Sequence, residues 1–265
     1  MHLKIHHRTE YRYDSPVHYS IQELRITPPN ITGQKVSKWK LHTPIKATQT
    51  SDPFGNICNS FVYESPYSSM LIEAEGEVET DDAHEFFDSR EAVSPFYLLQ
   101  QTPLTTPTNE MLDFFSDVIP KKNNIDAILL LASAVQQTIP YQPGKTQVAT
   151  TAGQSFDVRA GVCQDHSHIM LGLCRAAQIP ARYVSGYFFA EESPNLASHA
   201  WIDFCLDVSE GKWISVDITH ACLIDSRHIR LAIGRDYYSA APIKGVRSGG
   251  GSEALSASIS IHQLS

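Results

Sequence analysis

Along the first eighty residues, apolar side chains recur at every second position. Leu3, Ile5, Tyr11 and Tyr13 share one parity around polar neighbours, and Trp39 and Leu41 do the same around Lys38 and Lys40. Asp52-Pro-Phe-Gly-Asn56 interrupts the pattern with turn chemistry, and a strand-like run over 57–63 follows it. Between 70 and 79 the alternation is clean. Met70, Ile72, Ala74 and Val78 take one face, while Glu73, Glu75, Glu77 and Glu79 take the other. Such a glutamate row is a solvated sheet face rather than a calcium site, because ligands two apart along a strand stand in line and do not surround an ion.

The pattern changes after residue 80. Residues 81–124, rich in Asp, Thr and Pro, read as a connector with short helices. Asn123 and Asn124 can cap a helix whose apolar positions Ile125, Ile128, Leu129, Leu131, Ala132 and Val135 have helical spacing. Pro140 ends it near Ile139. A Thr- and Gln-rich loop leads to Arg159-Ala-Gly-Val-Cys-Gln-Asp-His-Ser-His168 and then to an apolar run that reads as a buried helix. Strands are predicted over 182–189, 198–206 and 212–218. Ser248-Gly-Gly-Gly-Ser252 reads as a flexible spacer before a last strand over 255–261. The predicted organisation is a β-rich domain over 1–80, the connector over 81–124, a core over 125–245, and the spacer with its strand over 246–265.

Composition narrows the function classes. The 265 residues are 42% hydrophobic and 19% charged, as in ordinary globular proteins. A formal charge of -8 argues against a general nucleic-acid binder, which needs a basic surface. No apolar run has the length of a membrane span or the form of a signal peptide, so a cytoplasmic protein without a membrane partner is expected. The five cysteines (58, 163, 174, 205 and 222) lack paired short spacings, which suits a reducing compartment.

Cys163 stands out among them. A thiol is a useful nucleophile only as the thiolate, whose free pKa of about 8.5 must be lowered by a cation or a helix N-terminus. Gly161-Val-Cys163 at the start of a helical segment meets the second condition, and the same backbone N–H groups can hold an oxyanion. The partner base is sought in Ser198-His-Ala-Trp-Ile-Asp-Phe-Cys-Leu206. There Ala200, Ile202, Phe204 and Leu206 form a core face, leaving His199, Trp201 and Asp203 on the other. A hairpin centred on Val208 sets His199 directly opposite Asp217, with Cβ atoms about 4.5–5.5 Å apart. Cysteine, histidine and aspartate then make a nucleophile, a base and an orienting acid.

These blocks resemble a known family. The Arg159–His168 segment, then Gly172-Leu-Cys-Arg-Ala-Ala-Gln-Ile-Pro-Ala-Arg-Tyr-Val-Ser-Gly186, Ser198-His199-Ala-Trp201, and Trp213 to Asp217-Ile-Thr219 are similar to the transglutaminase-like superfamily. Arg8 to Tyr13, Asp52 to Asn56 and the tail His228-Ile-Arg-Leu-Ala-Ile-Gly-Arg-Asp-Tyr237 resemble its bacterial members with an extra N-terminal β-domain. The resemblance implies an α+β fold, with an N-terminal antiparallel β-domain followed by a papain-like core. It also implies Cys163 as nucleophile, His199 as base, Asp217 as orienting acid, and a thioester intermediate formed from an amide of a peptide or protein. Water or an amine can resolve that thioester, and no cofactor or metal is called for. Ile218 departs from the family's usual proline after the aspartate.

Other readings compete. Cys163, His166 and His168 with Cys205, His220 or Cys222 supply zinc donors, but the close pairs of structural zinc sites are missing. His166, one helical turn after Cys163, rivals His199 as base. The more economical reading gives His166 and His168 a polar helix face packed on loops, and makes Asp165 a cap. Trp201 either walls the cleft or packs. Arg235 to Tyr238 reads as a surface ion pair with packed tyrosines, and His2, His6 and His7 as an exposed strand. A non-catalytic binding or scaffold protein on the same fold is the alternative function, and the oligomeric state stays open.

Overall fold

The computed structural model describes residues 1–87, 93–191 and 198–264, so residues 88–92 of the connector lie outside the described residues. The first sheet starts with β1 (His2–Leu24), β2 (Gln34–His42), β3 (Thr48–Ser51), β4 (Ile57–Tyr63) and β5 (Tyr67–Thr80), arranged across it as β2-β5-β1-β4-β3. The second holds β6 (Glu85–Phe87), β7 (Ala181–Phe188), β8 (His199–Asp207), β9 (Lys212–Asp217), β10 (Cys222–Leu223) and β11 (His228–Gly234). Its order is β10-β9-β8-β7-β11, with β6 joined to β9. The strand ladders are antiparallel, and helices cover the second sheet, so the fold class is α+β.

The expected alternation of β5 is present. Met70, Ile72, Ala74 and Val78 are buried, while Glu73, Glu75, Glu77 and Glu79 meet His6, His42, Lys38 and Lys35 from the neighbouring strands. These are surface pairs on a wet sheet face, each worth at most about 1 kcal/mol.

The chain's end returns to its beginning. Strands β12 (Ile243–Gly249) and β13 (Glu253–Gln263) run in succession alongside β1, pairing with its residues 17–24 and 3–13. The stretch expected as a flexible spacer is therefore a kink within a paired edge. Gly249, Gly250 and Gly251 all have positive φ, which L side chains disfavour, and the Arg247 guanidinium donates to the carbonyls of Gly249 and Gly251. Local composition suggested freedom; the ladder on both sides removes it.

The helices are α1 (Asn109–Phe114), α2 (Ile125–Thr138), α3 (Ala152–Val158), α4 (Cys163–Ala176) and α5 (Tyr237–Ala240). Asn124 caps α2 by accepting from the Ala127 N–H at 2.8 Å. Ile169, Leu173, Ile128, Leu131 and Val135 join Ala200, Ile202, Phe204, Ile214 and Val216 in one core, which binds α2 and α4 to the second sheet. Each such side chain contributes roughly 1.5–3 kcal/mol when fully buried. Among the described residues, Arg175 is buried without a carboxylate partner. Its guanidinium donates to the carbonyls of Leu98, Ala181 and Arg235 and to the Thr105 hydroxyl, tying connector and strand to α4.

The two sheets pack through a second core, in which Leu3, Ile5, Ile72 and Val78 meet Tyr187, Ile229 and Leu231. Edge strand β11 would leave backbone groups unpaired against the first sheet, a costly arrangement when buried. Two amides pair them. Gln34 bonds the N–H and carbonyl of Arg230 at 2.7 and 3.0 Å, and Asn56 does the same for Ile233 at 2.8 and 2.7 Å. Asp52 in turn accepts from the Asn56 side chain at 2.9 Å. Asn56→Ala is expected to lower stability by about 2–3 kcal/mol, because it strands both Ile233 groups. Asn59→Ala, which loses a bond to the Thr27 hydroxyl, is expected to cost less than about 1.5 kcal/mol. Urea unfolding of the two variants measures the difference.

Candidate active site

Cys163 is the first residue of α4, 8% exposed, and its Sγ lies 4.0 Å from the Ser198 carbonyl oxygen. The helix start is built by Asp165, whose Oδ2 accepts from the Val162 N–H at 2.8 Å and the Thr146 hydroxyl at 2.7 Å. Burial pushes the Asp165 carboxyl up, against the pull of these hydrogen bonds. Gly161 is required here, since a Cβ would stand 2.6 Å from that of Asp165. First-turn N–H groups at Cys163 and Gln164 have no intrahelical carbonyl to reach, and they face the pole of the helix dipole that favours an anion.

His199 opens β8 beside this helix start, also 8% exposed. Its Nε2 donates to Asp217 Oδ2 at 2.7 Å, which leaves Nδ1 for the Cys163 thiol. Burial acts to lower the imidazole's pKa, but hydrogen bonds and charge from Asp217 and Cys163 prevail and raise it. The Asp217 carboxyl moves the other way. Burial works against its charge, yet hydrogen bonds from His199, His220 and His228 hold it well below the usual carboxylate range.

The register that brings His199 to Asp217 differs from the one expected. Ladder pairs Ile202–Val216, Asp203–Ser215, Phe204–Ile214 and Cys205–Trp213 are followed by a shift before Asp207–Lys212. Continued upward, that register sets Asp217 opposite Trp201, and His199 two residues further along the same face. The contact is therefore diagonal. It survives because the extra step is even, preserving which face each side chain takes.

Asp217 Oδ2 is also reached by His220 Nδ1 at 2.6 Å and His228 Nε2 at 3.0 Å. In His228 the other nitrogen, Nδ1, lies 3.2 Å from the Asp225 N and 3.3 Å from its Oδ1. Phe188 packs on all three imidazoles, with ring centroids 5.3, 4.5 and 4.8 Å from His199, His220 and His228. Trp201 is fully buried beneath His199 and His228 and lies over Gly186, so it packs the floor and does not wall an open cleft.

Among the described residues, one set of three metal-type donors converges: His199, Asp217 and His228, with ligand atoms within 4.8 Å of one another. Imidazole protons already fill the space around that carboxylate, so a cation would have to displace them. The zinc set read from the sequence, Cys163, His166 and His168 with Cys205, His220 or Cys222, is not brought together. His166 cannot serve as the base. Its Nε2 donates to the Ile139 carbonyl at 2.8 Å, its Nδ1 accepts from the Thr219 hydroxyl at 3.0 Å, and burial lowers its pKa. His168 is buried deeper in α4, accepts the Tyr237 N–H, and is pushed down to about 4 by burial. Burial pushes Cys58, Cys205 and Cys222 up to about 11 and Cys174 up to about 12.

Two readings of charged clusters are corrected. Arg235 and Asp236 do not form the expected ion pair: Arg235 donates to the Gln101 carbonyl and the Tyr97 hydroxyl, and Asp236 caps α5 at the Ser239 N–H. His7 is buried rather than exposed, bonded to the Tyr187 hydroxyl at 2.7 Å. Sequence reasoning also missed the role of His228, at the head of an apolar strand without alternation. It missed Asp203 as well, which is buried on the His199 face and held by Arg182, Arg230 and Ser215 at 2.6–2.9 Å.

Comparison with known proteins bears on the family and the fold. Residues 115–218 match the transglutaminase-like superfamily, and residues 3–79 match the bacterial transglutaminase-like N-terminal region. An uncharacterized protein of Mycobacterium leprae is 29% identical over 280 residues, covering 99% of each chain. A protein-glutamine gamma-glutamyltransferase of Pseudomonas aeruginosa is 37% identical over 73 residues, 24% of this chain and 11% of that one. The fold matches a solved structure from Cytophaga hutchinsonii, named a candidate cysteine protease, with a TM-score of 0.76 at 21% identity. The match covers 100% of this chain and 91% of that one.

The raised His199 pKa carries a stability consequence. A group whose pKa is higher in the folded state contributes fully below its ordinary value of 6.5, and the contribution is lost as pH rises through the folded value. The stability advantage of wild type over His199→Gln is therefore expected to be larger at pH 6 than at pH 10. Urea unfolding of both proteins across that range measures it, and a constant difference would contradict the assignment.

Proposed function

This chain belongs to the transglutaminase-like superfamily, and on that premise we propose that it is a cysteine-dependent acyl-transfer enzyme acting on amides of peptides or protein side chains. One observation carries the reading: His199 lies between the Cys163 thiol at the start of α4 and the Asp217 carboxylate 2.7 Å from its Nε2. That arrangement supplies what acyl transfer through sulfur needs.

In this reading, the Cys163 proton passes to His199 Nδ1 and Sγ forms a bond to the carbonyl carbon. The carbonyl π electrons move onto oxygen, where first-turn N–H groups of α4 stabilise the charge. When the carbonyl re-forms, the C–N bond breaks and the leaving amine takes the proton from His199. The product is an acyl thioester on Cys163. Water or an amine then attacks the thioester, giving its proton to His199, and thiolate departs to recover it. Asp217 keeps Nδ1 facing sulfur and stabilises the imidazolium throughout.

The same groups serve hydrolysis and amine transfer, so the acyl acceptor depends on what reaches the thioester. A cytoplasmic setting is part of the proposal, supported by five cysteines that are all unpaired thiols. No helix among the described residues is long and apolar enough to cross a membrane.

Alkylation by iodoacetamide at neutral pH, followed cysteine by cysteine, tests the nucleophile. Cys163 is expected to react at least about tenfold faster than Cys58, Cys174, Cys205 or Cys222. Cys163→Ala is expected to abolish acyl transfer with unfolding behaviour unchanged. A Cys163 no faster than Cys174 would favour a binding protein on this fold.

A further inference from the structure

A cavity of about 210 Å³ lies on the first sheet, against Ser198 and Tyr237. Its floor is a patch of β1 and β13 defined by register. The cross-strand pairs His7–Ile259, Thr9–Ala257 and Tyr11–Leu255 all turn the same face toward it. Along the buried face of β1, Leu3 and Ile5 are core residues, and the stripe becomes polar at His7 and Thr9, where the cavity begins. The opposite wall includes Ser198 and Tyr237. Ser198 is the residue whose carbonyl meets Cys163 Sγ at 4.0 Å, so one wall residue stands between the cavity and the thiol.

The cavity continues into a groove. A neighbouring hollow shares Tyr11, Tyr237 and Leu255 with it and extends to Val148. The Val148 carbonyl accepts from the side chain of Gln164, the residue after Cys163. The two ends of the trough are therefore lined by Ser198, which contacts Cys163, and by Val148, which contacts Gln164.

Resting on the acyl-transfer reading above, we propose that this cavity is a specificity pocket for an aromatic side chain of the peptide acyl donor, with the N-terminal sheet as its floor. The volume exceeds the roughly 150 Å³ that accommodates a benzene ring in an apolar protein cavity. It falls short of the roughly 300 Å³ at which cofactor-sized pockets begin. Tyr11 and Tyr237 offer rings for edge or offset stacking. One polar group completes the floor. His7 bridges the Tyr187 hydroxyl at 2.7 Å and the Thr9 hydroxyl at 2.9 Å. The fully buried Tyr187 O–H is satisfied when it donates to Nδ1, so Nε2–H donates to Thr9 and the Thr9 proton is free for an acceptor on the donor peptide.

The test uses peptidyl acyloxymethyl ketones that alkylate Cys163, carrying Phe or Ala at the residue bearing the reactive carbonyl or at the residue before it. Wild type is expected to prefer Phe over Ala at one of these positions by at least about tenfold in inactivation efficiency. Ala257→Trp, an exposed position on the floor, is expected to reduce that preference below about threefold, with iodoacetamide alkylation of Cys163 unchanged. Leu255→Asp, at a site 60% exposed, is expected to weaken it in the same direction and stands in should the tryptophan variant not fold. Absence of a Phe preference, or a preference that both substitutions leave intact, overturns the pocket. Slow iodoacetamide alkylation of wild-type Cys163 would instead overturn the acyl-transfer reading.

Discussion

Asp217 is a carboxylate with no exposed surface, and the half of the molecule that carries Cys163 is arranged around keeping it charged. An ion removed from water costs several kcal/mol unless its partners are close and well oriented. Here three imidazoles supply them, from the start of β8, the turn after β9 and the start of β11. Each can reach Oδ2 only if those segments end in register and the sheet carries its twist to the same point. Satisfying one buried charge therefore sets the position of His199, and through it the approach of α4 and Cys163. Removing a single histidine side chain leaves the carboxylate two imidazole donors and the backbone N–H of residue 220; removing Asp217 leaves three imidazoles facing one another around an empty centre.

A second buried carboxylate repeats the logic on the same sheet face. Asp203 is four residues beyond His199 on β8 and is held by Arg230 in a two-point contact, by Arg182 and by Ser215. The two acids differ in what neutralises them. Guanidinium groups remain charged at any physiological pH, so the Asp203 cluster acts as a permanent clamp across β7, β8, β9 and β11. An imidazole, unlike a guanidinium, can lose its proton, so the Asp217 cluster can hold a base that changes charge during a reaction. Placing the inert cluster beside the titrating one stiffens the sheet where His199 must be held.

The N-terminal sheet is tied to this core by more than a linker. Its β1 is flanked by β5 on one side and by the chain's last two strands on the other, so the segment matching the N-terminal family region is completed by residues beyond 242. Gln34 and Asn56 extend from it to complete the backbone pairing of β11, the strand that carries His228. Neither half presents a finished edge without the other. The trough likewise has its floor in β1 and β13 and takes Ser198 and Tyr237 from the other half of the molecule as wall.

Much of the local structure was legible from residue order. The parity of β5, the Asn124 cap, the buried α4 and the strands at 182–189, 198–206 and 212–218 follow from spacings of two or 3.6 and from cap and turn chemistry. All of these act within a few residues. The assignment of His199 and Asp217 to one strand face was legible for the same reason. Their direct opposition was not, because the turn and the one-residue shift near Cys205 together set a register two residues away from that of a hairpin centred on Val208, which no local signal records. Nor was the burial of His7, the convergence of His220 and His228, or the ordering of Gly249 to Gly251 by β1. Each depends on which distant strand lies alongside, and that choice is made by the packing of whole faces. By itself, the sequence determined which side chains could carry the chemistry and which face of its element each would take. Only the tertiary structure decided which of them meet, because contact between residues 163, 199, 217 and 228 is set by ladder register and by the need to neutralise a carboxylate taken out of water.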